Sequence, residues 1–382
     1  MASHTNLDDD QLLVERKLSA RVLTLNRPKQ LNALSYYMVS RLLESFQGDE
    51  GNSDIKLIVV KGNGRAFCAG GDVAAVVRAA RDGDWRYGAK FFGNEYKMNY
   101  LMATYSKPQV SILNGIVMGG GAGVSIHGRF RVVTENTVFA MPETALGLFP
   151  DVGAAYFLSR LAGFFGEYVG LTGARLDGAE MLACGLATHF VPSPKLSLLE
   201  ESLCKVGTSD PTAVSAIINT YSEQPFLKED SVFNRMNAIN KFFSRKTVEE
   251  ILSSLEMEAE SKTDNWISAT LQTLKKASPT SLKIFLRLIR ECRLLGVGQC
   301  LVYEYRIVCH ILKGHYSKDF FEGCRAILID KDRNPKWEPS KLELVSDRDV
   351  DRYFSKLDVK GWEDLELPKR FNNLPAYAIS KL

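Results

Sequence analysis

Short apolar or β-branched runs at residues 21–25, 57–60, 110–113 and 130–133 are separated by longer stretches whose apolar positions recur every three to four residues. This alternation predicts an α/β architecture. Asn26-Arg27-Pro28 ends the first strand in a turn, and Asn32-Ala33-Leu34-Ser35 opens an amphipathic helix running toward Phe46. Residues 54–61 supply the next strand. Phe91, Phe92, Tyr96, Met98 and Leu101 continue a helical apolar face up to Pro108, whose missing N–H ends it before the following strand. His189 is expected to end a helix-loop segment. Beyond about residue 190 strand signals almost vanish, and segments 213–221, 248–259, 266–276 and 281–295 have helical periodicity. The expected organisation is a core over residues 1–195 and a helical C-terminal region over 196–382 packed on it, with no internal repeat.

Composition narrows the class. Hydrophobic residues make up 45% and charged residues 24%, which matches a globular protein with a sizeable core rather than a disordered chain. A net charge of +3 is too mild to argue for nucleic acid. The seven cysteines are odd in number and lack C-x-x-C spacing, so neither a disulfide framework nor a zinc site is favoured and a reducing compartment fits. No apolar stretch approaches the ~20 residues of a membrane helix, and the polar, acidic start does not resemble a signal peptide. The expectation is a soluble, non-secreted protein with no metal and no membrane partner.

Two glycine-rich turns carry the candidate chemistry: Ala66-Phe67-Cys68-Ala69-Gly70-Gly71-Asp72 and Met118-Gly119-Gly120-Gly121-Ala122-Gly123. Each follows an apolar run and precedes a helix-like one. Such a pair can aim two backbone N–H groups at one oxygen, and a thioester carbonyl gains negative charge on its oxygen when attacked. Glycines that merely permit tight turns are the bland alternative for either turn alone.

Together with Asn26-Arg27-Pro28 and Asn32-Ala33-Leu34, these turns resemble the crotonase, or enoyl-CoA hydratase, superfamily over roughly residues 15–195. Within it, the run from Met141 through Gly153 resembles a motif of the 3-hydroxyisobutyryl-CoA hydrolases, and residues 322–332 and 334–337 extend the likeness into the tail. The resemblance implies a ClpP/crotonase-like spiral of ββα units with a helical C-terminal region. It implies an oxyanion hole made by the amides of Gly71 and Gly120, the latter leading into a helix over 124–126 that would add a favourable dipole.

Hydratases of this superfamily hold water between two glutamates, one of them three positions after the middle glycine. Here that position is Gly123, so hydration loses half its acid–base apparatus while Glu143 remains. Asp151 matches the second acid of the hydrolases, and apolar flanks such as Leu148-Phe149-Pro150 raise carboxyl pKa values. Glu143 could attack the carbonyl or act as base toward water; the sequence leaves both open. Glu95 falls where these hydrolases carry a substrate-contacting glutamate, suited to accept a hydrogen bond from a substrate hydroxyl, with a solvated helix residue as the rival reading. The substrate-binding set is thus Glu95, Gly120, Glu143 and Asp151. His127 reads as structural and Cys68 as a small buried residue, since no nucleophile elbow or partner accompanies them.

The implied activity is hydrolysis of 3-hydroxyisobutyryl-CoA, or other short 3-hydroxyacyl-CoA thioesters, to the free acid and CoA in valine breakdown. Coenzyme A enters as part of the substrate, with no separate cofactor, and its nucleotide end is expected near Arg27 and the 66–72 turn. The alternatives are an enoyl-CoA hydratase of peroxisomal β-oxidation and a non-catalytic partner protein on the same fold. Ser380-Lys381-Leu382 spells the address read by the peroxisomal import receptor, so the expected location is the peroxisome. Relatives commonly assemble as trimers or hexamers; a homo-oligomer is possible and its size is open.

Overall fold

The computed structural model describes residues 11–261 and 264–370, so Ser380, Lys381 and Leu382 lie outside the described residues. Ten strands are described: β1 (Leu12–Lys17), β2 (Ala20–Leu25), β3 (Leu57–Gly62), β4 (Ala66–Cys68), β5 (Gln109–Leu113), β6 (Ile116–Met118), β7 (Phe130–Val133), β8 (Val138–Ala140), β9 (Leu176–Asp177) and β10 (His189–Phe190). They form a six-stranded sheet in the order β1-β2-β3-β5-β7-β10 and a four-stranded sheet in the order β4-β6-β8-β9. Three strands of the larger sheet each hand the chain to one of the smaller: β3 to β4, β5 to β6, β7 to β8. Helical segments return it for the next turn of this spiral. His189 therefore belongs to a strand, paired in parallel with Val132, not to a helix-loop segment; a two-residue strand leaves too little pattern to be read.

Except for the β1–β2 hairpin, pairing within the six-stranded sheet is parallel. Parallel strands covered on both faces read as continuous apolar runs, and β3, β5 and β7 are buried almost throughout. Their alternating residues divide between two cores. Leu23, Ile58, Val60, Leu113 and Val133 face the main core. Val22, Leu57, Val59, Val110 and Val132 face the other side, where helices Leu196–Cys204 and Pro211–Tyr221 cover them through Leu199, Leu203, Val214 and Ile218. The first helices of the C-terminal region thus close the back of the sheet.

The later helices support the front. Helix Trp85–Ala103, started by the Asp84 carboxylate accepting from the Tyr87 amide at 3.1 Å, is buried along most of its length and packs against Val297–Lys313. Tyr96 meets Tyr305 edge to face, with centroids 6.4 Å apart, and Tyr305 in turn stacks on Trp362. No helix among the described residues is long and apolar enough to cross a membrane.

Candidate active site

The two glycine turns end the parallel strands β4 and β6, which places them side by side. Backbone bonds fix the first turn: the Leu34 amide donates to the Gly70 carbonyl at 2.8 Å and the Asp72 amide to the Leu34 carbonyl at 2.9 Å. In the second turn, the Gly119 amide donates to the Ala140 carbonyl at 3.3 Å. None of these bonds consumes the amides of Gly71 and Gly120. The turns are so close that a Cβ on Gly120 would sit 3.1 Å from the Gly71 nitrogen and 2.7 Å from Glu95 Oε1. The helix after Gly120 is shorter than expected, a single turn over Gly120–Gly123, so it adds little dipole to the site. Three glycines in four positions carry high backbone entropy, which ends the helix where a 124–126 continuation was expected.

A cavity of about 100 Å³ lies against these turns, and Gly71, Gly120, Glu95, Glu143 and Asp151 all line it. Glu143 opens a short 3₁₀ turn, Glu143–Leu146, and Glu95 projects from helix Trp85–Ala103. All three acids are buried, Glu95 to 1% exposure, which removes the solvated-surface reading. Glu95 Oε1 and Glu143 Oε2 have no hydrogen-bond partner among the described residues. Burial pushes the carboxyls of Glu95 and Glu143 well above the usual range, and the Asp151 charge pushes both further. Burial likewise raises Asp151, to about 7, although the Tyr96 hydroxyl, donating to Asp151 Oδ2 at 2.7 Å, holds it down. A carboxyl poised there exchanges its proton readily at neutral pH.

Three further residues hold this site in place: Tyr96 and Glu304, for which the sequence suggested no site role, and His127, read from it as structural. Glu304, fully buried on helix Val297–Lys313, accepts from the Gly153 amide at 2.7 Å and the Ala155 amide at 3.3 Å. His127 Nε2 meets the Val152 carbonyl at 2.7 Å, which makes it the donor, and burial lowers its pKa to about 4, so the ring is neutral. Together they grip a backbone turn in which Val152 has φ of 55°, a region that costs a β-branched residue and persists only where its surroundings impose it. The sequence signals were faint: a lone glutamate in an apolar helical stretch and a lone histidine.

Position 123 is sealed. A Cβ on Gly123 would lie 2.7 Å from Val152 Cβ and 2.9 Å from Asn99 Nδ2, so no second glutamate fits there. Arg27 does not line the cavity; its guanidinium is bound to Asp72 at 3.2 Å and to the Ala33 carbonyl. Cys68 is fully buried with its thiol pushed up to about 12, which makes it unreactive. All seven cysteines are free thiols, and the described residues contain no cluster of metal-ligating side chains.

Residues 20–354 match the family model described as enoyl-CoA hydratase/isomerase. The chain is 67% identical to 3-hydroxyisobutyryl-CoA hydrolase 1 of Arabidopsis thaliana over 97% of its own length and 98% of that protein. It is 43% identical to the mitochondrial 3-hydroxyisobutyryl-CoA hydrolase of Xenopus laevis, covering 96% of this chain and 93% of that one. Among solved structures, a carnitinyl-CoA dehydratase from Mycobacterium thermoresistibile superposes with a TM-score of 0.85 at 34% identity, covering 94% of this chain and all of that one. The spiral of ββα units is the crotonase fold, and the chain belongs to the enoyl-CoA hydratase/isomerase family, on its 3-hydroxyisobutyryl-CoA hydrolase branch.

Proposed function

We propose that this protein hydrolyses 3-hydroxyisobutyryl-CoA and similar short 3-hydroxyacyl-CoA thioesters, and that Gly71, Gly120, Glu143 and Asp151 carry the reaction with Glu95 reading the substrate hydroxyl. One observation supports this reading above the rest: two adjacent amides, of Gly71 and Gly120, border a cavity into which three raised-pKa carboxyls are set, while the site of a hydratase's second glutamate is packed shut. The thioester oxygen seats between the amides. With the shared proton on Asp151 and Glu143 ionised, Glu143 adds to the carbonyl carbon, or draws a proton from a water that does so, and the oxyanion is held by the two N–H groups. As the C–S bond breaks, the departing thiolate takes a proton from Asp151, whose pKa near 7 suits it to give one up and later to receive one from water. If Glu143 is the nucleophile, water gives a proton to Asp151 and opens the resulting mixed anhydride at its Glu143 carbonyl, releasing the free acid; if Glu143 is the base, the proton it took from water passes back to Asp151.

Glu95 Oε1, buried and unpartnered, is matched by a hydroxyl donor on the acyl group. An analogue without the hydroxyl leaves it unpaired, at about 1–3 kcal/mol, or roughly 5- to 150-fold in kcat/KM.

Thiol release from a panel of short acyl-CoA esters tests the assignment in wild type, Glu143→Ala and Asp151→Asn. A fall of at least a hundredfold in both variants is expected; undiminished turnover in either removes that acid from the mechanism. Single turnover in ¹⁸O water separates the routes, since only the nucleophilic one places label in the Glu143 carboxylate. Loss of enoyl absorbance instead of thiol release would favour the hydratase alternative. We also infer that Ser380-Lys381-Leu382 directs import into the peroxisome: a tagged chain should be peroxisomal, and the same chain lacking those three residues cytosolic. Coenzyme A enters as part of the substrate, with no separate cofactor, and light scattering tests whether copies of the chain associate.

A further inference from the structure

Among the described residues, every one lining the candidate catalytic cavity lies between Ala69 and Val152 except Leu328. It stands in the segment over 322–332 whose sequence set it apart from short hydratases, on a π-helical turn, Arg325–Ile329. Such turns are rare and concentrate at functional sites. Of the other apolar walls, Phe92, Leu148 and Val152 are interior, at most 3% exposed, while Val73, Pro142 and Leu146 are half-buried. Leu328 is 38% exposed, which puts it at the cavity's mouth.

Its position is imposed from two sides. Helix Asp319–Cys324 seats backbone to backbone on the turn that carries Glu143, since a Cβ on Gly323 would overlap the Leu146 carbonyl. On the other side Arg325 draws in three carboxylates: Glu322 at 2.8 Å, Asp330 at 2.8 Å and Asp332 at 2.6 Å. The Arg333 amide closes the segment by donating to the Ala326 carbonyl at 3.0 Å.

Resting on the hydrolase reading above, we propose that Leu328 is the specificity wall of the acyl pocket: its side chain narrows the mouth side of the pocket against acyl groups longer than a branched four-carbon unit, and Arg325 is its positioning residue. The cavity is narrow, at about 100 Å³, which suits a short acyl group. A wall that is half exposed at the mouth can be trimmed without opening the interior, whereas trimming Leu148 or Phe92 would leave a hole in the core.

The test is the ratio of kcat/KM for 3-hydroxyhexanoyl-CoA to that for 3-hydroxyisobutyryl-CoA. Leu328→Ala should raise it roughly 10- to 100-fold, the range an apolar pocket commands per methylene or two. Leu328→Phe should lower it. Arg325→Gln should move it in the direction of Leu328→Ala by a smaller factor, with the change in KM for the long substrate rather than in kcat for the short one. Ratios within threefold of wild type in both Leu328 variants overturn the proposal. A wild type that releases thiol from neither ester overturns the hydrolase reading instead; the Kd ratio for non-cleavable thioether analogues of the two esters then tests the wall directly, with the same expected order among the variants.

Discussion

The Tyr96 hydroxyl donates to Asp151 Oδ2 at 2.7 Å from the helical position immediately after Glu95. Two consecutive residues therefore reach the same site, one lining the cavity with an unpaired oxygen and the other bracing its neighbouring acid. Because the tyrosine bonds the charged form of Asp151, it keeps that carboxyl lower than burial alone would. Since Asp151 must hold its proton to protonate the thiolate, Tyr96→Phe should shift the basic limb of the kcat–pH profile to higher pH and, by removing the donor that stabilises the Asp151 carboxylate formed, reduce kcat at pH 7 by roughly 10- to 100-fold, the worth of one hydrogen bond to a charged group. An unmoved limb would show that Asp151 does not set it.

The buried acids also govern stability. For a carboxyl whose pKa is raised on folding, the native state holds more protons than the unfolded state between the two values, so stability falls as pH rises through that window. For Asp151 the window runs from its ordinary value of 3.8 to about 7. The folded protein should thus be more stable near pH 5.5 than near pH 8 as far as this site is concerned. Asp151→Asn removes the charge, so it should raise Tm by a few degrees at pH 8 and by less at pH 5.5 while abolishing turnover. Melting curves at the two pH values measure the difference; a variant that loses Tm more at pH 8 than at pH 5.5 contradicts the sign.

Gly120→Ala is the sharpest probe of the amide pair. Its Cβ would lie 2.7 Å from Glu95 Oε1 and 3.1 Å from the Gly71 nitrogen, in the space assigned to the thioester oxygen. Loss of kcat by 10²- to 10³-fold is expected, comparable to removing one oxyanion donor, with a much smaller change in Tm. Turnover within tenfold of wild type would place the oxyanion elsewhere.

Gly123→Glu restores the carboxylate that hydratases carry at this position. The packing of Val152 and Asn99 leaves it no room, so the expected outcome is destabilisation by about 1–3 kcal/mol from overpacking, more if the acid remains charged, and no enoyl-CoA hydration. Appearance of hydratase activity in a stably folded variant would mean that the chemistry of this fold turns on that one side chain.

Much of this was legible in the sequence, and for identifiable reasons. The strands of the large sheet are buried on both faces, so 57–60, 110–113 and 130–133 announce themselves as unbroken apolar runs, whereas β9 and β10, two residues each, leave no pattern. Gly71, Gly120, Glu95, Glu143 and Asp151 stood in local motifs that could be read one turn at a time. Glu304 and Leu328 could not: each reaches the site only because distant helices fold back on the core, a relation between segments over 150 residues apart that periodicity does not encode.

Glu304 is a long-range contact that braces the backbone just after Asp151. Its two carboxylate oxygens take up the amides of Gly153 and Ala155, and without them the strained Val152 turn loses the acceptors that hold it open on that side. Glu304→Ala leaves two buried donors unsatisfied, at about 1–3 kcal/mol each, and should lower Tm by several degrees. Glu304→Gln keeps one amide oxygen to accept from Gly153 and should recover most of that loss. The catalytic signature separates positioning from mere stability. Asp151 shifts when its turn relaxes, while Glu95 and the two glycine amides belong to other elements, so kcat should fall at least tenfold in the alanine variant with KM changed less than threefold, and the glutamine variant should restore kcat together with Tm. If both variants lose Tm while kcat measured well below the melting range stays at the wild-type value, Glu304 supports the fold alone.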